Sequence, residues 1–434
     1  MVFNKEIQEK YNVDVFVAGG GAAGVAAAVA ASRQGKSVFL AEKTGTFGGL
    51  GTSGLVPAFA PFDDRVNVVA DGIGFEIRKN VSKNIPLNKY WTPINAEELK
   101  REYDRIVTES GIKFSFFTTV CDVIVNDGTV DSVILFAKSG FFSVKAKVYI
   151  DCTGDGDLCA MAGADFEKGD EKGSVMPATL CSLWSDIDYQ RVTSEKVAEN
   201  AFIEEAYNDG VLSYNDRHLP GFFLHENGIG GGNIGHIFDL DPLDEMSLTE
   251  SMIWGRKQIL EYEQYYKKYH KGYEDMVLIT SAPMLGVRES RRIVCDYMLS
   301  GEDFLRRAVF DDEIGRYCYP VDIHVMNTDK EEYDRFEKEY KEKMCYKNGE
   351  SYGIPYRCLI PKKLENVLVA GRCVGTDRQM QASIRVMPGC FITGQAAGVA
   401  ASIASENDGK VRNVTLSKLF SSLKELGAYL PNAK

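Results

Sequence analysis

The 434-residue chain is short of the residues that mark metal and disulfide chemistry. It has five histidines, no two at metal-ligand spacing, and its ten cysteines form no Cys-x-x-Cys pair. Zinc ribbons, iron–sulfur runs and thioredoxin-like redox pairs have no basis here, and no metal site is expected. Positive charge is scarce too. Fifty Lys and Arg stand against 62 Asp and Glu, a net charge of −12 with no local basic patch. Such a chain repels phosphate backbones, which argues against nucleic acid as a partner. Long apolar runs are also missing. The most apolar early stretch, residues 13–31, is broken by four glycines and carries Asp14, so no membrane association is expected. The segment up to Tyr11 holds Lys5, Glu6, Glu9 and Lys10 and lacks the apolar centre of a secretory signal. The expectation is a soluble, cytoplasmic protein.

What is present points to an α/β chain of two or three domains. Residues 13–18 read as a buried strand and Gly19 to Gly24 as a tight turn. A helix of very small residues follows to Arg33, then Gly35 at a helix C-cap position, then a second strand over 37–41. Asn95 with Glu98 three residues on opens a helix running to about Ser110. A meander follows, its runs near 120–125, 130–137 and 141–146 joined by Asn126-Asp127-Gly128 and Lys138-Ser139-Gly140. A separate apolar run, 148–150, leads into Asp151-Cys152-Thr153-Gly154-Asp155-Gly156-Asp157. Beyond residue 181 the character changes. There is a glycine-rich stretch over 228–235, a long helix opened by a capping box at Ser247 and reaching His270, and a charged, solvated helix over 329–347. The last part returns to the opening pattern, with a strand over 366–370 and a small-residue helix from about Cys390 to Ala404.

Gly19-Gly20-Gly21-Ala22-Ala23-Gly24 fits Gly-x-Gly-x-x-Gly at a strand-to-helix junction. In that pattern the first glycine makes the turn, the second lets backbone approach a pyrophosphate, and the third packs the helix on the strand. Glu42 ends the second strand 18 residues after Gly24. There an acid hydrogen-bonds a ribose diol. Glycines alone would be a weak signal; strand, turn, helix, strand and acid in order define a dinucleotide site. Gly230-Gly231-Gly232-Asn233-Ile234-Gly235 lacks a preceding β-run and a following acid, and reads as a loop rather than a nicotinamide site.

With these blocks on the page, the chain resembles the FAD-dependent oxidoreductases of the glutathione-reductase-like class. It is similar more narrowly to a bacterial and archaeal group of FAD-dependent oxidoreductases, over nearly the whole length. The likeness extends through residues 47–52, 151–157, 286–292, 319–324, 352–357, 369–372, 382–388 and 393–398. It implies FAD as cofactor, held by Gly19, Gly21, Ala22, Ala23, Gly24, Glu42 and Lys43. The same group includes Gly48, Gly49, Leu50 and Thr52 after the second strand, and Val120 in the meander. It continues with Thr153, Gly154 and Asp157, then Gly371 and Arg372. A helix opening near Gly394 would aim its amides at the flavin. Many relatives carry Gly-Asp where this chain has Gly371-Arg372, so no Asp role transfers there. The implied architecture is a Rossmann-like FAD/NAD(P)-binding domain in two pieces, 1–180 and 354–434, around an inserted α+β substrate domain, 181–353.

For substrate chemistry the residues leave alternatives open. Arg288, Glu289, Arg291 and Arg292 could clamp a carboxylate or form a salt-bridge network at a domain junction. Arg385, just before the small-residue helix expected at the flavin edge, is a candidate anion contact. His225, His236 and His324 are candidate proton carriers, His324 foremost. Cys373 and Cys390 fall near the expected flavin. The function expected is hydride transfer between FAD and a small polar molecule, a carboxylate-bearing one among the candidates, with a separate electron donor or acceptor. A homo-oligomer is compatible with all of this. A non-catalytic electron-relay subunit and a tRNA-modifying flavoenzyme are the alternatives, the second weakened by the missing basic surface.

Overall fold

The structure is a computed structural model that describes residues 4–83, 85–86, 90–195, 197–217, 219, 221–224 and 228–433. Its centre is a seven-stranded sheet. Strand β1 (Gln8–Ala18) leaves solvent at Val13 and is buried at its C-terminal end, where Val15, Phe16, Val17 and Ala18 alternate between two apolar layers. It pairs in parallel with β2 (Val38–Ala41) on one side and with the strand Gly140–Asp151 on the other. The strand Lys113–Ser115 extends the β2 edge.

The strand Gly140–Asp151 explains how the two ends of the chain share one sheet. It is continuous for 12 residues, where the sequence pattern had implied two runs. Its first half pairs antiparallel with Thr129–Ala137, which pairs with Thr119–Asn126. Its last three residues take Val367–Val369 as a parallel neighbour. The C-terminal segment therefore completes the sheet begun by the N-terminal one. The expected tight turn is present: Asp127 and Gly128 have φ of 47° and 76°, both left-handed, as a two-residue hairpin of matching twist requires.

Helix α1 (Ala22–Arg33) is buried from Ala22 to Ala31. It packs along the helix Met387–Ala404, which is long and apolar enough to cross a bilayer but 94% buried inside the fold. Small residues allow the approach. A Cβ on Gly394 would collide with the Ala23 carbonyl, and one on Gly398 with that of Ala27. Asn95 caps the helix Ala96–Glu109 by accepting from the amides of Glu97 and Glu98, as its sequence predicts.

A second core, from Val175 to Leu285, surrounds Trp184, Tyr262, Tyr265 and Tyr266. Here the antiparallel strands Phe222–Leu224, Gly230–Gly232, Ser182–Ser185 and Val277–Ser281 face the helix Glu245–Tyr269. Two expectations need correction. The glycine stretch read as a loop supplies an inner strand; a Cβ on Gly231 would strike Pro57 and one on Gly232 would meet Ser182 Oγ at 2.9 Å. The long helix is capped by Asp244, whose side chain accepts from the Ser247 amide, and not by Ser247. The charged segment is helical over Lys330–Phe336, with Phe336 and Tyr340 resting against the main core. Side chains from Leu299 to Tyr352, on the substrate side of the expected boundary, belong to the same core as α1.

Candidate functional site

A single cleft of about 600 Å³ runs from the β1–α1 turn to the junction between the two cores. At its first end each glycine of the turn has a visible reason. Gly19 has φ of 87°, and a Cβ there would sit 2.6 Å from the Cys152 carbonyl. A Cβ on Gly24 would collide with the carbonyl of Gly19. Gly21, the first-turn cap of α1, has an ordinary φ of −67°, yet nothing lies within 4 Å of where its Cβ would be. That position opens into the cleft at the amide end of a helix, where a pyrophosphate is held. Gly48 and Gly49 (φ 101° and 52°) bring a second backbone segment alongside, Gly48 donating to the Gly20 carbonyl at 2.8 Å.

Glu42 is 5% exposed and lies on the cleft wall. One carboxylate oxygen accepts from the Gly20 amide and the other from the Thr44 amide, both at 2.7 Å. The acid thus shapes the turn as well as facing the space where a ribose would lie. Ala22, Ala23, Lys43, Leu50, Val120, Thr153, Gly154, Asp157, Gly371 and Arg372 line the same cleft. Thr52 does not. It is fully buried behind the loop, and its hydroxyl donates to the Phe47 carbonyl at 2.5 Å. Gly24 and Gly394 act through packing, away from the cleft wall. The helix that holds Gly394 starts at Met387, nearly two turns earlier, so its opening amides are those after Val386. Thr393 Oγ1 instead accepts from the Gly371 amide at 3.0 Å, fixing the last strand end.

Arg372 ties three segments together. Its guanidinium donates to the carbonyls of Gly154 and Val287 and to the Asp155 carboxylate. Burial would raise the Asp155 carboxyl, but the Arg372 charge and the Ser290 hydroxyl outweigh it and hold the group below its ordinary value. Asp155 was overlooked in the sequence; its alternation with Asp151 and Asp157 was the available signal. Asp151, fully buried, accepts from Thr153 and Cys159 and shapes the same loop.

The far end of the cleft holds the groups suited to a substrate. Arg288, 8% exposed, donates to the Pro177 carbonyl at 2.8 Å and reaches the cleft wall. Burial and the nearby Arg385 charge pull its guanidinium down to about 10, still charged at neutral pH. Arg385 donates to the backbone and carboxylate of Asp322 at 3.1 and 3.0 Å. His324 lies beside them, its Nε2 3.4 Å from Asp322. Tyr319 completes the group, its hydroxyl 3.3 Å from the same carboxylate. Asp322 was missed although it sits two residues before His324 in an extended segment, which puts both on one side.

Arg292 is a correction. It points away from the cleft and is bonded to the fully buried Glu289 at 2.6 Å, with further contacts to Glu167 and the Gly169 carbonyl. Glu289 also accepts from Arg378 and from the Met176 amide. Arg291 pairs with Asp157 at 2.8 Å. The dense cluster therefore divides: Arg288 faces the cleft, and the rest is a salt-bridge network. Cys390 is on the wall, but burial pushes its thiol up to about 12, so it stays protonated at neutral pH. Cys373 is buried behind the last strand. His225 lies outside the described residues. No group of three or more metal-ligating side chains occurs among the described residues.

The sheet order, the glycine turn over an open cradle and the acid at the end of β2 define a Rossmann-like nucleotide-binding flavoprotein. The chain belongs to the family of FAD-dependent oxidoreductases, whose family model matches residues 14–423. It is an oxidoreductase with FAD as its cofactor. No curated protein matches it. Among solved structures it is similar to a geranylgeranyl bacteriochlorophyll reductase-like protein from Thermoplasma acidophilum, at 12% identity and a TM-score of 0.48, covering 96% of this chain and 83% of that one. It is also similar to the p-nitrophenol 4-monooxygenase of Pseudomonas putida, at 10% identity, TM-score 0.41 and coverages of 96% and 82%. A flavoprotein/dehydrogenase from Cytophaga hutchinsonii matches at 13% identity, TM-score 0.42 and the same coverages.

Proposed function

We propose that the protein transfers hydride between FAD and a small carboxylate-bearing molecule, with Arg288 and Arg385 receiving the carboxylate and His324 handling the proton. One observation carries this reading: a buried guanidinium, Arg288, sits on the cleft wall beside a second one, Arg385. Two cations side by side in a low-dielectric wall repel, and among the described residues the Asp322 carboxylate is the one anion that forms an ion pair with either. An incoming carboxylate relieves that imbalance, and arginine offers it two parallel donors. FAD, when bound, supplies the hydride acceptor or donor. The chain's own part is to fix the anion, exclude water around it, and hold or release a proton at His324 Nε2.

The placement in the glutathione-reductase-like class is part of this proposal, resting on the Gly19–Gly24 turn, Glu42 and the Thr153-Gly154 block. So is a separate electron donor or acceptor, since the sequence has no convincing second dinucleotide turn. The test is titration of the FAD-loaded protein with acetate, glycolate and succinate, followed by the shift of the flavin band. Arg288→Lys and Arg385→Lys keep the charge and lose the fork. Wild type should respond, and each variant should bind about 10- to 100-fold more weakly while keeping FAD. A wild type indifferent to all three anions, or variants that match it, would end the carboxylate reading.

A further inference from the structure

Behind the cleft runs a chain of four titratable side chains, Asp216, His236, His324 and Asp322, of which the anion site uses only the last two. His236 is fully buried; its Nδ1 lies 3.2 Å from Asp216 and its Nε2 2.8 Å from His324 Nδ1. His324 Nε2 then faces Asp322 at 3.4 Å, on the cleft wall. Each of these three contacts needs one proton between its partners. Two neutral imidazoles carry only two. With both carboxylates ionised, the chain is fully hydrogen-bonded only when it holds one extra proton, an imidazolium charge shared between the rings. The surroundings tolerate it. Asp216 and Asp322 bring two negative charges, Arg385 one positive charge onto Asp322, and Arg288 another near it. Tyr319 faces Asp322, while Tyr262 and Tyr333 lie near Asp216. The longest of the three contacts is the one at the cleft, so the extra proton is held most loosely where a substrate arrives.

We propose that Asp216 and His236 are positioning residues of a buried proton relay that loads and unloads His324 Nε2. The proposal rests on the hydride-transfer reading for its use. In the oxidising direction the substrate C–H bond gives up its electron pair as the hydride of the proposed reaction. The companion O–H or N–H bond gives its proton to His324 Nε2. The His324 Nδ1 proton moves to His236 Nε2, so the positive charge settles on His236, whose Nδ1–H donates to the ionised Asp216. His324 ends neutral with its proton on Nε2, and the imidazolium is held against a buried carboxylate. Reduction runs the same shifts in reverse, His324 giving its Nε2 proton to the substrate.

The test needs no substrate. Histidine-¹⁵N-labelled, FAD-loaded protein is followed by NMR from pH 5 to 9 as wild type, Asp216→Asn and His236→Gln. In wild type the two rings should titrate together as a coupled pair. Asp216→Asn removes one neighbouring negative charge at constant size, so the His324 midpoint should fall by about one pH unit. His236→Gln should leave His324 titrating alone. A His324 signal that titrates identically in all three proteins overturns the relay; if Asp216→Asn is insoluble, His236→Gln makes the same comparison. The two proposals fail separately. Coupled histidines in a protein indifferent to succinate keep the relay and remove the carboxylate, and the converse result removes the relay alone.

Discussion

Gly21→Val separates cofactor binding from folding more cleanly than any other change in the turn. The backbone at Gly21 has φ of −67° and ψ of −174°, extended geometry that a β-branched residue adopts without strain. Nothing lies within 4 Å of the new Cβ, so the cofactor-free fold has no reason to move. Its stability should change by no more than about 0.5 kcal/mol, as for a surface substitution. The isopropyl group would instead occupy the cradle at the amide end of α1. A pyrophosphate pushed off those amides loses on the order of two charge-assisted hydrogen bonds, roughly 3–6 kcal/mol, or about 10²- to 10⁴-fold in affinity. Gly24→Ala is the control. Its Cβ meets the Gly19 carbonyl, so it should cost roughly 1–3 kcal/mol of stability whether or not FAD is present. The assays are FAD released per mole of protein on denaturation and the thermal midpoint of the FAD-free protein. A Gly21→Val protein that keeps its full complement of FAD, or that melts as low as Gly24→Ala without cofactor, would refute the reasoning.

Glu42→Ala strands the buried Gly20 and Thr44 amides, and should lower the stability of the FAD-free protein by roughly 1–3 kcal/mol as well as weakening FAD; chemical denaturation without cofactor checks the first part. Arg372→Gln removes the charge that keeps Asp155 ionised, so FAD content should fall and the cleft loop should become more susceptible to proteolysis. Because the Asp155 carboxyl is held below its ordinary 3.8, its contribution to stability is present above that pH and is lost as the pH falls through its lower folded value; acid unfolding followed by flavin release should show this component in wild type and lack it in Arg372→Gln. Arg292→Met should cost roughly 3 kcal/mol, the low end for stranding a buried charge because Arg378 still pairs with Glu289, and should leave both FAD content and the succinate response unchanged.

What the sequence revealed and what it hid follow the range of the interactions involved. The turn at Gly19–Gly24, the cap at Asn95 and the hairpin at Asp127-Gly128 are made by neighbours a few residues apart, so residue type and spacing suffice to find them. Glu42 was legible for the same reason, one crossover away. The inner strand Gly230–Gly232 was not, because its glycines are set by Pro57 and Ser182, distant in the chain. Gly394 was assigned to the flavin because it lies in a block shared with relatives, yet its neighbour is the backbone of α1. The arginine cluster at 288–292 was ambiguous in one dimension: four charged residues in five positions suit a clamp and a network equally. Only the partners Glu167, Arg378 and Asp157, more than 80 residues away, divide it.

The charge of the cleft makes the same point in energetic terms. A protein of net charge −12 repels anions at long range, so an anion site must be built from local, water-excluded contacts. Four cations reach the cleft: Lys43, Arg288, Arg372 and Arg385. Arg372 is matched by Asp155 and Arg385 by Asp322. Lys43 is exposed at the nucleotide end. Arg288 is different, for among the described residues no carboxylate forms an ion pair with it, and the one hydrogen bond of its guanidinium is to a backbone carbonyl. Burying a cation under those conditions is costly, and the lowering of its guanidinium to about 10 expresses that cost. A bound carboxylate would take the place of the missing counter-charge. On the proposed carboxylate reading, the position that weakens the fold without ligand is the one that would favour the ligand, which is how a strongly acidic protein could select a small anion.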